Sequence, residues 1–252
     1  MANAANHLLK VAFSLLCVLG IWQLISTFKF VNPTLFPSPH DVALAAVDLA
    51  KSGVLLSDLV VSVSRAAVGF VIGAVLGVVV GLLTSRTHFF HIMLNPLFTI
   101  LRPIPAIALV PVAIVWFGIG DASKYFVISY TVFLAVWLNT HHGMEHVSTL
   151  YIRASRSLGA SRLREFATVV VPASAAHIFA GLRFGAALAF LSLVAAELTG
   201  ASAGIGYRLE EARQYILMDR MFVGLIELGI LGALVDTVFV LVGRRLIHWE
   251  QA

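Results

Sequence analysis

The stretch that decides the fold is residues 59–83, LVVSVSRAAVGFVIGAVLGVVVGLL, in which Arg65 is the only charged residue. A helix needs roughly 20 mostly apolar residues to cross a bilayer, because the hydrocarbon core is about 30 Å thick and each residue adds about 1.5 Å. Backbone groups find no water at that depth, and a β-barrel would show short alternating strands instead. The stretch therefore predicts a membrane-spanning helix.

Five further apolar runs surround this stretch, and together they predict an all-α membrane protein with about six transmembrane helices. A single bent hairpin is the alternative for the third and fourth helices. The other predicted spans are residues 8–28, 97–117, 125–138, 173–198 and 222–242.

The composition agrees with a membrane protein. Of the 252 residues, 60% are apolar and 12% are charged, whereas a soluble domain is about half apolar and a quarter charged. Soluble enzymes, disordered chains and fibrous proteins fit poorly. This apolar composition predicts lipid as a partner, and the net charge of +4 is too small and scattered to suggest nucleic-acid binding. One cysteine, Cys17, excludes an internal disulfide.

The chain divides at about residue 58. Residues 1–58 are predicted to hold an N-terminal transmembrane helix and an outer amphipathic segment, and residues 59–252 the core of the bundle. We expect the first span to be an uncleaved anchor, because the cleavage-like stretch at 43–45 lies about fifteen residues beyond it. A second outer amphipathic segment is expected at 204–221.

The distribution of basic residues predicts the orientation of the chain. An even number of spans places both termini on one side. The loops of that side hold eight Lys and Arg against three Glu, and the opposite loops hold six against seven acidic residues. Because basic residues concentrate in cytoplasmic loops, we expect both termini in the cytoplasm.

The segment 141–172, HHGMEHVSTLYIRASRSLGASRLREFATVVVP, is the most informative loop. A first helix is expected to end at Gly159, where a left-handed C-cap is easiest for glycine. Ser161 can cap a second helix, which is expected to stop near Pro172. Two short helices joined by a glycine could contact a soluble partner. The alternative is a polar loop without a partner.

The spacing in this segment resembles the EAA loop that permease subunits of ABC importers share. Arg153, Ala154 and Ser155 stand at the EAA positions, Gly159 at the glycine, and 169–172 at the I-x-L-P, with glycine and proline thirteen residues apart. Two departures are Arg153 in place of the acidic residue and Ser155 in place of the second alanine. The resemblance implies an ATPase-coupling loop made of Arg153, Ala154, Ser155, Leu158, Gly159, Ala160, Ser161 and Pro172.

The resemblance extends over residues 33–249 and narrows the family. The chain resembles the nitrate, sulfonate, taurine and bicarbonate branch of the binding-protein-dependent importer permeases. This implies the type I ABC importer permease fold, with a cytoplasmic coupling helix and a translocation path for a small nutrient, especially an anion. The stretches that carry the likeness are FPSPHDV at 36–42, SRAAVGFVIGAVLGVVVGLL at 64–83, LRPIPAIALVPVAIVWFGIGDASKYF at 101–126 and AGLRFGAALAFLSLVAAEL at 180–198.

An ATP-driven importer needs a nucleotide site, and this chain lacks the motif that would form one. A Walker A loop has glycine directly before its lysine, but the four lysines follow Leu9, Phe28, Ala50 and Ser123. The resemblance therefore implies a non-catalytic chain without a cofactor of its own, with ATP and Mg on two copies of a separate ATPase. It also implies a second permease copy in a homodimer, an extracytoplasmic solute-binding protein, and location in a bacterial inner membrane.

Two further functions are open from the residues alone. A self-sufficient secondary transporter would use an ion gradient and need no ATPase. An intramembrane enzyme is less favoured, because the chain has no GxSxG nucleophile motif. His141, His142 and His146 could suggest a metal site, but without an HExxH motif we expect interfacial roles and no metal.

Glycines, prolines and charges inside the spans complete the predictions. Small residues every fourth position let helices approach closely, which predicts helix packing for Gly69, Gly73, Gly77 and Gly81. Prolines break a helix, and buried charges face cavities or partners. The candidates for the translocation path are Arg102, Pro103, Pro105, Trp116, Arg183 and Glu197. For the three charged residues among them, the alternative is structural pairing with another group of the protein.

Overall fold

The computed structural model describes residues 2–28 and 30–247, and the described part consists of helices and their connections. The all-α prediction is confirmed. A π-helical turn, Phe166–Val170, joins the eighth helix to the ninth. The helices are α1 Ala2–Thr27, α2 Pro39–Lys51, α3 Val54–Arg86, α4 His88–Leu101, α5 Ala106–Phe117, α6 Asp121–Glu145, α7 Thr149–Ser157, α8 Arg162–Glu165, α9 Val171–Leu198, α10 Ile205–Gln214 and α11 Met218–Leu246.

Three helical stretches are long and apolar enough to cross a membrane, namely α3, Arg162–Leu198 and α11. The pair α4 and α5 passes the same test together, but its two axes differ by 104°. Helices α1 and α6 occupy the two remaining predicted spans. The predicted third span is therefore a broken pair of helices, and α6 is a separate helix after it.

Helix α6 lies in the middle of the bundle, between α3 and α9. Val127, Ile128 and Val132 are fully buried. Because protein surrounds it, α6 can carry polar groups such as Ser129, whose hydroxyl donates to the Gly69 carbonyl of α3 at 3.1 Å. This position explains why α6 is less apolar than the other predicted spans.

The break between α4 and α5 follows from its prolines. Pro103 and Pro105 lack backbone donors, and they disfavour helical geometry in the residues before them. The carbonyl of Leu101, at the end of α4, accepts a hydrogen bond from the Tyr130 hydroxyl at 2.6 Å. The same carbonyl accepts from the Ile104 N–H at 3.0 Å, so the α6 side chain adds a second bond at the point where Pro105 has no N–H to donate.

Pro172 does not end the second loop helix, so this part of the prediction was wrong. The helix continues from Arg162 to Leu198 through the π-helical turn. In this turn the Val171 N–H donates to the carbonyl of Phe166, five residues back. The wider turn accommodates a proline at the start of α9, since Pro172 has no N–H to donate.

The two amphipathic segments form α2 and α10, at one end of the bundle. Ser38 caps α2, because its Oγ accepts from the Asp41 N–H at 3.1 Å and the Asp41 carboxylate accepts from the Ser38 N–H at 3.1 Å. The buried side of α2 includes Val42 and Leu49, which pack with Val223 of α11. This helix therefore packs against protein as well as facing outward.

Candidate functional site

Helices α7 and α8 meet at a sharp turn, residues 158–161, which we call the α7–α8 corner. Gly159 has a φ of +78°, in the left-handed region that glycine adopts without a steric cost. The N–H groups of Gly159 and Ala160 donate to carbonyls of the last turns of α7 at 2.9 and 3.1 Å, and Ser161 caps α8 by accepting from the Arg164 N–H at 3.3 Å. The corner thus has a defined conformation.

Ionic contacts fix the corner to the bundle. Arg156 of α7 donates from Nε to the Glu165 carboxylate at 2.6 Å, and the Glu165 side chain is only 2% exposed. Arg86, at the end of α3, donates to the carbonyl of Arg162 at 2.8 Å and lies over the Phe166 ring. These contacts connect α3, α7 and α8.

The outer surface of the corner combines apolar and basic side chains. Leu158 is 88% exposed and Leu163 is 77% exposed. Arg153 is also exposed, and it forms no ion pair with any of the described residues. Of the predicted coupling residues, 153–155 lie on α7 and 158–161 in the corner, whereas Pro172 lies apart from them in α9.

Glu197 lies in a buried polar network at the opposite end of α9 from the corner. Its side chain is fully buried. Its carboxylate accepts from Arg65 Nη1 at 2.8 Å and from the Ser62 hydroxyl at 2.9 Å. Arg65 also donates to Asp121 at 2.8 Å. These contacts favour a structural role for Glu197 in the described protomer.

The same network binds the first turn of α10. The N–H groups of Gly204, Ile205 and Gly206 donate to side chains of Asp58, Ser62 and Glu197, respectively, at 2.8–2.9 Å. These are donors that a helix start leaves without intrahelical partners. The sequence analysis singled out Glu197 as a charge within a span and Arg65 as the only charge of residues 59–83, but it missed this role of Asp58 and Ser62. The signal available was a polar position every fourth residue at the start of α3.

Arg183 lies between α9 and α11. It forms a bidentate pair with Asp236, with Nε to Oδ1 at 2.6 Å and Nη2 to Oδ2 at 2.9 Å. The pair lines a cavity of about 560 Å³ together with Phe184 and Phe239. Arg183 and Glu197 do not meet, because Glu197 contacts α3 and α10 while Arg183 contacts α11.

Arg102 lies at the break between α4 and α5 and lines a second cavity, of about 170 Å³. Tyr130 and Asn139 of α6 and Phe184 of α9 line it as well, so Phe184 borders both cavities. Among the described residues, no carboxylate pairs with Arg102. The other predicted translocation-path residues of this region do not line the cavity. Pro103 and Pro105 form the break itself, and Trp116 is an exposed residue of α5 that packs on Phe126.

A helical membrane bundle with a broken span, mostly apolar cavities that each contain an arginine, and an exposed two-helix corner fits a transport component. The family described as "Binding-protein-dependent transport system inner membrane component" matches residues 69–248. The chain belongs to this family, and it is a permease-type inner membrane component.

Several relatives share nearly the whole chain. The putative aliphatic sulfonates transport permease protein SsuC of Bacillus subtilis is 34% identical over 235 residues, which are 93% of this chain and 85% of that protein. The nitrate import permease protein NrtB of Synechocystis sp. is 30% identical over 96% of this chain and 90% of its own length. The taurine transport system permease protein TauC of Escherichia coli is 29% identical over 94% and 88%.

A solved structure shows the same fold. An inward-facing conformation of the MetNI methionine ABC transporter matches with a TM-score of 0.63 at 20% identity, covering 73% of this chain and 92% of that chain. The expected type I importer permease fold is thereby confirmed.

Proposed function

We propose that this chain forms the translocation path of an ABC importer for a small anion of the alkanesulfonate, taurine or nitrate class. ATP hydrolysis, with its Mg, takes place on a separate ATPase, present in two copies. A second copy of this chain completes the path, and a solute-binding protein delivers the substrate from outside. Both termini, and therefore the α7–α8 corner, face the cytoplasm.

The observation that carries this proposal is the α7–α8 corner. Leu158 and Leu163 are mostly exposed beside basic side chains, and exposed apolar side chains rimmed by polar residues are typical of a protein interface. The corner is held by Gly159 and by the Arg156–Glu165 pair, so it presents these side chains in one conformation. A preorganised surface loses less entropy on binding, which suits a contact that transmits force.

The second support concerns the substrate. The cavity at the helix break presents the Arg102 guanidinium without a carboxylate partner in the described residues. Arginine binds sulfonate-like and nitrate-like anions through several N–H groups in one plane. The names of the relatives point to the same class of ligand.

The experiment compares Gly159→Val with Gly159→Asn in proteoliposomes that hold the permease, its ATPase and its binding protein. A β-branched residue in the left-handed region costs about 1–2 kcal/mol, whereas Asn adopts this region readily. We expect Gly159→Val to insert normally but to lose roughly tenfold in ATP-driven uptake, and Gly159→Asn to retain most of it. Uptake is measured with labelled alkanesulfonate, taurine and nitrate.

Two results would contradict the proposal. The first is a Gly159→Val permease that assembles with the ATPase and transports as the wild type does. The second is uptake by the permease alone, driven by a proton or sodium gradient without ATP, which would identify a secondary transporter.

A further inference from the structure

Three metal-ligating side chains converge where α3, α4 and α6 meet near the α7–α8 corner. They are His91 of α4 and His141 and Glu145 of α6, and one ligand atom from each lies within 4.8 Å of the others. The sequence separates His91 from His141 by fifty residues, so only the fold brings them together. This cluster shares no residue with the α7–α8 corner or with the linings of the two cavities described above.

One ring nitrogen of His141 is engaged by Thr84, which leaves Nε2 as the ligand atom. The ring is 3% exposed, and its Nδ1 lies 3.2 Å from Thr84 Oγ1. The Thr84 hydroxyl also lies 3.2 Å from the Gly81 carbonyl and accepts from Trp137 Nε1 at 3.2 Å. When its proton goes to Gly81, His141 carries its own proton on Nδ1 and the Nε2 lone pair is free for a metal ion.

This tautomer directs the Nε2 lone pair of His141 toward Glu145. Nε2 lies 3.4 Å from Glu145 Oε1. In this tautomer the lone pair and the carboxylate repel each other at that distance, and a cation bound between them removes the repulsion. Two ligand atoms on one tetrahedral Zn²⁺, with bonds of 2.0–2.1 Å, are about 3.3 Å apart. The pair therefore already has the spacing that a shared metal ion requires.

His91 supplies the third ligand. Its ring stacks on that of His141, with centroids 5.3 Å apart and planes 27° apart, and it is half-buried. The Glu145 side chain is 48% exposed, so an ion can enter from that side. Thr84 provides the outer hydrogen bond that metal-ligating histidines usually make.

We propose that His91, His141 and Glu145 form a site for a divalent transition-metal ion, with Zn²⁺ as the best fit. Two imidazoles and one carboxylate, with water at the fourth position, are an established zinc ligand set. Mg²⁺ and Ca²⁺ prefer oxygen ligands and are excluded as the preferred ion. The bound metal links α4 to α6 next to the corner. His142 and His146 keep the non-ligand roles expected from the sequence.

The experiment measures Zn²⁺ binding to the full chain in lipid nanodiscs by calorimetry, with X-ray absorption to identify the ligands. We expect one Zn²⁺ per chain with nitrogen and oxygen ligands at 2.0–2.2 Å. His91→Asn, His141→Asn and Glu145→Gln should each weaken binding strongly, and Thr84→Val about 10–100-fold. His146→Asn is the matched control, because its ring stacks on His177 on another face, and it should bind as the wild type.

Hydrogen exchange gives a second readout that does not depend on affinity. Zn²⁺ should slow exchange in the first turns of α4 in the wild type and leave it unchanged in His91→Asn. The proposal is overturned if the wild type binds less than one Zn²⁺, if the ligand variants bind as the wild type does, or if His146→Asn loses as much affinity as they do.

Discussion

Gly73 of α3 shows how tightly α3 and α6 pack. A Cβ built at this position would lie 2.5 Å from the Ser129 carbonyl and 2.8 Å from Val132 Cβ. Gly69, Gly77 and Gly81 make comparable approaches along the same face of α6. The backbone of α3 therefore lies directly against the backbone and the first side-chain carbons of α6, with no room for a methyl group.

We expect Gly73→Ala to destabilise the protein. Overpacking costs about 1–3 kcal/mol, which outweighs the gain of about 1 kcal/mol in helix propensity. Gly229→Ala in α11 is the matched control, since a Cβ there meets no atom of the described residues within 4 Å. Unfolding of both variants in detergent measures the difference. Equal stability of Gly73→Ala and Gly229→Ala would contradict the packing described.

The role of a single residue was predictable where it belongs to a regularly spaced set. The four-residue spacing on α3 predicts a packing face, but it does not say that α6 is the partner. Gly181 and Gly185 of α9 have the same spacing and approach Asn139 and Val136 of α6, and they were overlooked. The contacts of Glu197 with Ser62 and Arg65 could not be predicted, because these two partners lie more than 130 residues away.

At the scale of one element, the N-terminus of α2 depends on Ser38 and Asp41. Hydrogen bonds from the side chain and backbone of Ser38 lower the pKa of Asp41 below its ordinary value of 3.8. A carboxyl group whose pKa is depressed on folding stabilises the fold above its unfolded pKa, and this contribution is lost as the pH falls through the folded pKa.

Ser38→Ala should therefore destabilise the chain by about 1 kcal/mol near pH 7. The difference from the wild type should shrink below about pH 4, where protonation of Asp41 weakens the cap in the wild type as well. Thermal unfolding of the two proteins at both pH values measures this. Ser57→Ala serves as a control, because Ser57 is exposed on α3. A pH-independent difference would contradict the role of Asp41.

Elements were predicted well where apolar runs are long, and poorly where helices are interrupted. Pro103 and Pro105 indicate an interruption in the third span, but the 104° angle depends on how α4 and α5 pack. Pro172 was taken as a helix end, whereas the π-helical turn lets the helix continue. The prediction considered only the proline itself, whereas the π-helical hydrogen bond from the Val171 N–H to the Phe166 carbonyl depends on the conformation of the whole segment before it.

At the scale of the whole molecule, the proposed orientation places the α7–α8 corner and α10 on opposite sides of the membrane. Leu158 of the corner and Tyr215 after α10 are both exposed. In a Cys17→Ser background, single cysteines at these positions should differ in their reaction with an impermeant maleimide. The Leu158→Cys protein should react only in inverted vesicles, and the Tyr215→Cys protein only in right-side-out vesicles. Labelling of both positions from the same side would contradict the topology.

The sequence alone was sufficient for the class of the molecule. Apolar runs predict six spans, and the glycine and proline of the 141–172 segment indicate the family, because both signals are local. The central position of α6, the two cavities and the meeting of His91 with His141 result from contacts between distant segments. No local pattern specifies which face of a helix turns toward which neighbour.

The uninterrupted helix from Arg162 to Leu198 has a mechanical consequence. Its 37 residues form a rod about 55 Å long, with the corner at one end and Glu197 near the other. A tilt of about 5° imposed at the corner displaces the far end by about 5 Å. Because Glu197 holds the first turn of α10, such a stroke also moves α10. In the orientation proposed above, this lever would carry work done on one face of the membrane to the opposite face.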